Sequence, residues 1–468
     1  RRERMGGTWD LFRYPGIRSD SDMASFGFDF KPWYSDKVLA KGPAIRQYVD
    51  ETAEEYGIKD KVQFGIDILE ANWSSDQQLW VLKAKNTHSQ EEVIYTCQFL
   101  NNCTGYYNYE QGYRPIFKNE DVFKGQILHP QHWPKDLDYS NKKIVIIGSG
   151  ATAVTLVPAM ADSAKHITML QRSPSFMMPL PDTDHISNFL NIFLPRSWVF
   201  KFARKRNIFL QRSMFKLSMR WPKHARKFFM GLVKKELGKD YDMSHFSPKY
   251  NPWEQRLCVA PDGDLFESIK SGKASIRTDE IDQFTETGIQ LKSGNAINAD
   301  IIITATGLNV QLLGGMKMKV DHEDVIFSER MVYKSIMIQD IPNFTWVFGY
   351  TNAPWTLKCD LAGRYMCRLI KHMDEHNLAS ATPIDHDDCV TEKGILDDFS
   401  AGYVQRSTHL MPRQGNKAPW IISMHYENDK KVLLKDPVVD GVIKFKTKLS
   451  SGMRSAQEGQ LGEPIKAV

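Results

Sequence analysis

Short β-branched runs closed by glycine recur along this chain, and they fall into two similar sets. The sharpest unit begins at Lys142. There KKIVIIGSGATAVTLVPAMA predicts a buried strand, a glycine-rich turn and a helix, and HITML, ending near Leu170, predicts the next strand. Pro158 lies inside the predicted helix and should kink or shorten it. Early in the chain, VQFGIDILEANW, LWVLKAKN and EEVIYTCQFLNNCTG predict a β-meander and a strand ending at Thr104-Gly105. Later, KASIRT, IDQFTETGIQLKSG and ADIIITATG repeat that pattern and end at Thr306-Gly307. Between the glycine turn and the second set, RSWVFKFARKRNIFLQRSMFKLSMRWPKHARKFFMGLVKK predicts basic amphipathic helices.

The strand–turn–helix setting gives the glycines a chemistry. Gly148 permits the tight turn, Gly150 lets backbone approach a pyrophosphate, and Ala153 is small enough for the helix to pack on the strand. The N–H groups of Ser149, Ala151 and Thr152 then fall at a positive helix end suited to phosphate. Where an NAD site would place an acid, this chain has Arg172 and Ser173. A cation and a hydroxyl suit a 2′-phosphate, which points to NADP; the plainer alternative is a surface arginine. The first strand set has no such loop in this sequence. The expected fold class is therefore α/β, with two Rossmann-like dinucleotide-binding domains, the second for NADP, and a helical insert in the NADP domain.

Composition narrows the partners. With 468 residues, two or three domains are expected, and 42% hydrophobic with 25% charged residues describes a globular protein. A net charge of +5 gives no case for nucleic acid. No apolar run reaches the roughly 18 to 20 residues of a membrane span, because Ile144 to Met160 is broken by Gly148, Gly150 and Pro158. The six cysteines are scattered without metal-ligand spacing, which predicts free, mostly buried thiols, no metal and a cytoplasmic setting. His185 to Lys235 holds 13 Lys and Arg and no Asp or Glu, leaving the rest of the chain near −8. That segment suits peripheral contact with an anionic membrane, or equally a solvated basic face that draws in an anionic cofactor.

Two longer patterns identify a family resemblance. FKGQILHPQHWP matches the Baeyer–Villiger fingerprint FxGxxxHxxxWP at Phe123, Gly125, His129, Trp133 and Pro134. GGTWDLFRYPGIRSD, Gly6 to Asp20, matches a second pattern of the same class B flavoprotein monooxygenases. GGTWDLFRYPGIRSDSDM and GYTNAPWTLKCDLAGRYMCRL look most like the ethionamide-activating enzymes, and equally like related proteins proposed to hydroxylate long-chain alkanes. The resemblance implies FAD and NADP(H) as cofactors and a split FAD domain, at 1–138 and 312–390. The NADP domain would span 139–311, its insert about 176–250, and a C-terminal extension 391–468. It also implies that the FAD phosphate loop precedes Arg1, so that roughly 35 to 40 further residues are expected upstream.

The same resemblance implies O2 as co-substrate and oxygen insertion into lipophilic ketones, with oxygen transfer to sulfur as a related activity. Arg256, in WEQRLCVAPDGD, matches the cation that stabilises anionic oxygen near the flavin, and Asp20 the acid that positions it. Gln255 and Leu257 depart from the family's usual Lys and Pro. Plainer roles are a phosphate-pairing or surface arginine and a turn-capping carboxylate. Gly7, Thr8, Trp9, Arg13 and Tyr14 would lie beside the flavin, and Asn352, Trp355 and Thr356 would return to it, although Trp355 equally suits a core. His129 would act at the domain linker. The apolar insert from Pro179 to Lys235 would shape the substrate pocket. Two other functions stay open: a long-chain alkane hydroxylase, and a non-catalytic NADP-binding fragment.

Overall fold

The computed structural model describes residues 1–449 together with 466 and 467; the end of the expected C-terminal extension lies outside the described residues. The chain opens with three helices, α1 (Thr8–Leu11), α2 (Met23–Phe26) and α3 (Gly42–Glu55). The first meander follows as β1 (Ile66–Ser74), β2 (Leu79–Asn86) and β3 (Glu92–Cys97), all antiparallel. Next come β4 (Leu100–Asn102), β5 (Tyr107–Gly112) and β6 (Gln126–Leu128). β4 pairs in parallel with the strand Phe344–Trp346, so the late part of the chain returns to the first domain.

The second domain is a five-stranded, fully parallel sheet. β7 (Lys143–Ile147) leads through α4 (Ala151–Ala161) to β8 (His166–Gln171). β9 (Met177–Leu180) then runs into the insert of α5 (His185–Leu190), α6 (Arg196–Arg220) and α7 (Pro222–Leu237). The chain comes back as β10 (Cys258–Pro261), which pairs in parallel with β9 and closes the root of the insert. After α8 (Asp264–Lys270) it forms β11 (Ala274–Thr278), the antiparallel trio β12 (Ile281–Thr285), β13 (Gly288–Leu291) and β14 (Ala296–Asn298), then β15 (Ile301–Thr304). Strand order in the parallel sheet is β11-β8-β7-β15-β6. β7 is flanked by β8 on one side and β15 on the other, and its glycine turn therefore lies at a topological switch point, where open α/β sheets bind ligands.

Burial explains the sheet. Ile144, Val145, Ile146, Ile167, Met169, Ile302 and Ile303 are almost wholly buried, as expected for parallel strands covered on both faces. KASIRT, grouped above with the meander, instead becomes β11 at the edge of this sheet. Its two buried positions, Ala274 and Ile276, pack with β8. Pro158 does not end α4, which continues to Ala161 with its apolar face buried. Nor are the cysteines mostly buried: Cys258 and Cys389 are, whereas Cys103 and Cys367 are exposed. Cys359 and Cys367 both lie within the helix Trp355–Glu375, where Cys367 falls on the solvent side.

The two domains are joined where the chain crosses twice. β5, just after Thr104-Gly105, pairs antiparallel with Leu308–Val310, just after Thr306-Gly307. Among the described residues no helix is long and apolar enough to cross a membrane, and no group of side chains could hold a metal ion.

Candidate functional site

At the turn after β7, Gly148 adopts φ +136°, and a Cβ there would come within 2.3 Å of the Ala305 carbonyl oxygen. Gly150 is different: a Cβ would meet nothing within 4 Å. One glycine is required by the fold, and the other leaves space open. Gly150 caps α4 without a side-chain bond, and the N–H groups of Ala151, Thr152 and Ala153 have no acceptor among the described residues. Ala153 is fully buried under the helix. Ser149 Oγ donates to the Ser173 carbonyl at 2.9 Å and lies 2.9 Å from Ser175 Oγ, which ties the turn to the segment after β8. Arg172 and Ser173 are exposed at that segment, while Gln171 turns inward to the His245 carbonyl and Thr278. An open helix end flanked by an exposed cation and a hydroxyl fits the phosphates of a dinucleotide.

A second polar site lies at the root of the insert. Arg256, two residues before β10, is enclosed by protein yet accessible to solvent, so it lines an internal hollow. Its Nη2 donates to Tyr106 Oη at 3.3 Å, its one hydrogen bond among the described residues. Tyr106 Oη lies 3.1 Å from Tyr107 Oη and 3.2 Å from Tyr403 Oη. Because Tyr106 accepts from the guanidinium, its own hydrogen is free to reach one of those two oxygens. The Tyr106 ring stacks on Trp355 at 5.1 Å with planes 21° apart. Tyr106 and Tyr403 oxygens, opposed by burial, hold Arg256 above its already high pKa. Burial in turn pushes the Tyr107 phenol up to about 12 and raises the Tyr106 phenol too, so both are neutral at working pH.

Asp20 faces the same hollow. Burial raises its carboxyl to about 6, against the opposing pull of Arg18 and Arg256. No ion pair joins Asp20 to Arg256 among the described residues; the two are coupled through space. Arg18 itself is bonded to Asp264 at 2.6 Å, which pins the Asp20 loop to α8. A guanidinium surrounded by protein yet open to solvent, with most of its donors unpaired, and a half-accessible carboxylate leave room and polarity for a flavin-sized group. Sequence reasoning found Arg256 and Asp20 but missed Tyr106, Tyr107 and Tyr403. The Tyr pair directly after Thr104-Gly105 was a usable signal; Tyr403 had none.

The N-terminal residues take up varied roles. Gly6 and Gly7 have φ +111° and +51°, and Thr8 Oγ1 lies 3.3 Å from Tyr109 Oη. Trp9, Arg13 and Tyr14 line a cleft of about 620 Å³ that reaches Ala159 of α4. Trp9 packs edge-on against Phe26, and exposed Arg13 bonds Asp10. Tyr14 leans on α4 with Thr152 as hydrogen-bond partner. Arg256 does not line that cleft, but Tyr14 is coupled through space to Asp20 and Tyr107 of the hollow. Asn352 is buried, its oxygen accepting from Arg212 and its nitrogen donating to the Met424 carbonyl. Thr356 Oγ1 is spent on the Phe26 carbonyl at 2.5 Å.

The fingerprint residues sit at the crossing between domains. His129 Nε2 lies 3.2 Å from the Gly307 carbonyl, and its Nδ1 accepts from the Gln131 N–H at 3.2 Å. Those partners select the neutral ring with its proton on Nε2, and burial lowers its pKa. Gly112 admits the ring, since a Cβ there would fall 2.0 Å from it. Gly125 likewise passes close to the Asp300 carbonyl, Phe123 packs edge-on against Phe284, and Trp133 rests on the core of the parallel sheet. Thr306 Oγ1 donates to the Tyr113 carbonyl at 2.6 Å.

A parallel sheet with a glycine turn at its switch point, joined to a second domain through a deep cationic hollow, defines a two-domain dinucleotide oxidoreductase architecture. From residue 21 to 377 the chain matches the flavin-binding monooxygenase-like family, and it belongs to that family. It is 53% identical over 449 residues to MymA of Mycobacterium tuberculosis, named as an FAD-containing monooxygenase, covering 95% of this chain and 91% of that protein. It is 46% identical over 447 residues to the FAD-containing monooxygenase EthA of the same organism, again covering 95% and 91%. Among solved structures it shares the fold of oxidized steroid monooxygenase bound to NADP, with TM-score 0.73 at 17% identity over 96% of this chain and 94% of that one. OTEMO in complex with FAD and NADP aligns with TM-score 0.68 at 19% identity, covering 95% and 94%.

Proposed function

We propose that this flavin monooxygenase uses NADPH, FAD and O2 to insert one oxygen atom into lipophilic ketones, with oxygen transfer to sulfur as a lesser activity. When bound, FAD reduced by NADPH supplies the oxygen-activating chemistry. The chain's own residues supply the rest. The free N–H groups of α4 and the open face of Gly150 hold the NADP pyrophosphate, and Arg172 with Ser173 meets the 2′-phosphate. Arg256 keeps its charge at any working pH and is aimed into the hollow, where it stabilises negative charge developing on oxygen. Tyr106, steadied by Tyr107, Tyr403 and the face of Trp355, fixes the guanidinium. Asp20, once ionised, adds a counter-charge that orients it without pairing. His129 bonds the crossing strand at Gly307 and serves as the linker between domains. Trp355, Phe348 and the tyrosine rings wall the hollow with apolar surface, which excludes water and favours lipophilic substrates.

The observation that carries this reading is Arg256: a permanent cation, deep, accessible and held by a single phenol. The test is product analysis with NADPH and isotopically labelled dioxygen, offering the protein a ketone, a long-chain alkane and a thioether. An ester carrying one labelled oxygen supports the proposal. Alcohol from the alkane with no ester replaces it with the hydroxylase reading. NADPH binding without any oxygenated product leaves a non-catalytic NADP-binding protein.

A further inference from the structure

The insert helices have two unlike faces. On the inner face, Arg204 Nη1 donates to the carbonyls of Ala24, Ser25 and Gly27 at 2.7 to 3.0 Å, and Asn207 reaches Asp22 at 2.8 Å. Arg212 is 2% exposed and binds Asn352, His425 and Glu427. These bonds fix α6 to the body of the protein. The outer face has no such partners. Of 27 large hydrophobic side chains exposed on the described chain, 13 lie between Ile186 and Phe228. Ile192 and Phe193 are 70% and 69% exposed, Trp198 65% and Phe209 69%.

Along the first half of α6, Trp198, Phe202, Lys205 and Phe209 recur at intervals of three and four residues and share one exposed stripe, which ends where Arg212 and Lys216 meet Glu427. Of the 13 cations between His185 and Lys235, eight are exposed and have no carboxylate partner among the described residues, including Arg196, Lys201, Lys223 and Lys227. An apolar patch of this size, mixed with uncompensated positive charge, is a surface built to be covered. A second copy of the same face would bring like charges together. Nucleic acid would use the cations but leave the exposed Phe and Trp rings unburied.

We propose that α5 to α7 form a docking surface for an anionic lipid bilayer, with the apolar stripe at the headgroup boundary and the lysines and arginines against lipid phosphates. This is the arrangement of an interfacial helix: aromatic and aliphatic side chains enter the interface, and flanking cations read its negative surface. It does not depend on the oxygen-transfer reading, because it rests on the outward-facing side chains of the insert and not on the Arg256 site.

The test is co-sedimentation of the purified full-length chain, with its flavin, on vesicles of phosphatidylcholine alone or with an equal part of phosphatidylglycerol. Binding to the anionic vesicles, weakened by high salt and nearly absent on the neutral ones, is expected. Lys201→Gln, Lys205→Gln and Lys223→Gln should each lower the partition about fivefold, and the pair Trp198→Ser and Phe209→Ser about tenfold or more, with thermal melting unchanged. No binding to anionic vesicles at low salt would overturn the proposal, as would equal binding to both vesicle types. So would a dimer, seen by sedimentation velocity, that Phe209→Ser dissolves without any vesicle binding.

Discussion

The turn after β7 and the hollow around Arg256 both offer polar groups to a ligand, but they are made in opposite ways. The turn is local. Strand, glycines, helix and the flanking Arg172 come from one run of about thirty residues, and backbone N–H groups supply most of the chemistry. The hollow is non-local. Arg256 meets Tyr106 across 150 positions, and Tyr106 meets Tyr403 across 297. Its chemistry is carried by side chains on loops, held in place by the domains behind them. A local site is therefore sensitive to backbone changes, and a non-local one to loss of single side-chain contacts.

The largest effect should come from the turn. Gly148→Ala forces a side chain into a left-handed φ and against a carbonyl, and should cost about 3 kcal/mol of stability. Gly150→Ala adds a Cβ that meets no protein atom within 4 Å and should leave thermal melting unchanged while raising the KM for NADPH at least about tenfold. Equal loss of stability in both variants would show that Gly150 also serves the fold.

The hollow is tested next through Asp20. Its folded pKa, about 6, lies above the ordinary 3.8. The stability it contributes is therefore complete below 3.8 and lost as pH rises through about 6, so ionised Asp20 is a burden on the fold. Asp20→Asn should stabilise the protein by about 3 kcal/mol well above pH 6, with little gain under acid conditions, as chemical denaturation at two pH values would show. Oxygen transfer in the parent should rise with pH through about 6, and that limb should vanish in the variant. A variant that loses stability at neutral pH would place Asp20 in a structural ion pair instead.

The smallest effect belongs to Tyr106→Phe. It removes one hydrogen bond to a charged group and should slow oxygen transfer about tenfold while leaving the KM for NADPH within about twofold. A matching change in both quantities would mean that the phenol shapes the fold rather than the arginine.

The same contrast explains what the sequence revealed. The β-branched run, the glycine spacing and the echoing strand sets announce the parallel sheet, the NADP turn and the meander, because each depends on residues close in the chain. Arg256 and Asp20 were reached only because motif resemblance carries long-range information that periodicity does not. Tyr403 was invisible, since nothing near AGYVQR indicates that its phenol meets Tyr106. The partners of Asn352 were equally invisible, since its amide meets Arg212 and Met424 on two distant segments. The charge bias of the insert was plain. Which of its residues face outward depended on how Arg204 and Arg212 anchor α6.

The most direct test of Arg256 as the oxygen-transfer cation is to separate the two half-reactions in Arg256→Ala. Reduction of the bound flavin by NADPH without oxygen should proceed within about threefold of the parent, whereas ketone oxygenation in air should fall at least about a hundredfold with NADPH consumption persisting. If the variant still forms the oxygenated product at a rate near the parent's, or if flavin reduction fails to the same degree, Arg256 is not the group that stabilises the oxygen-transfer step.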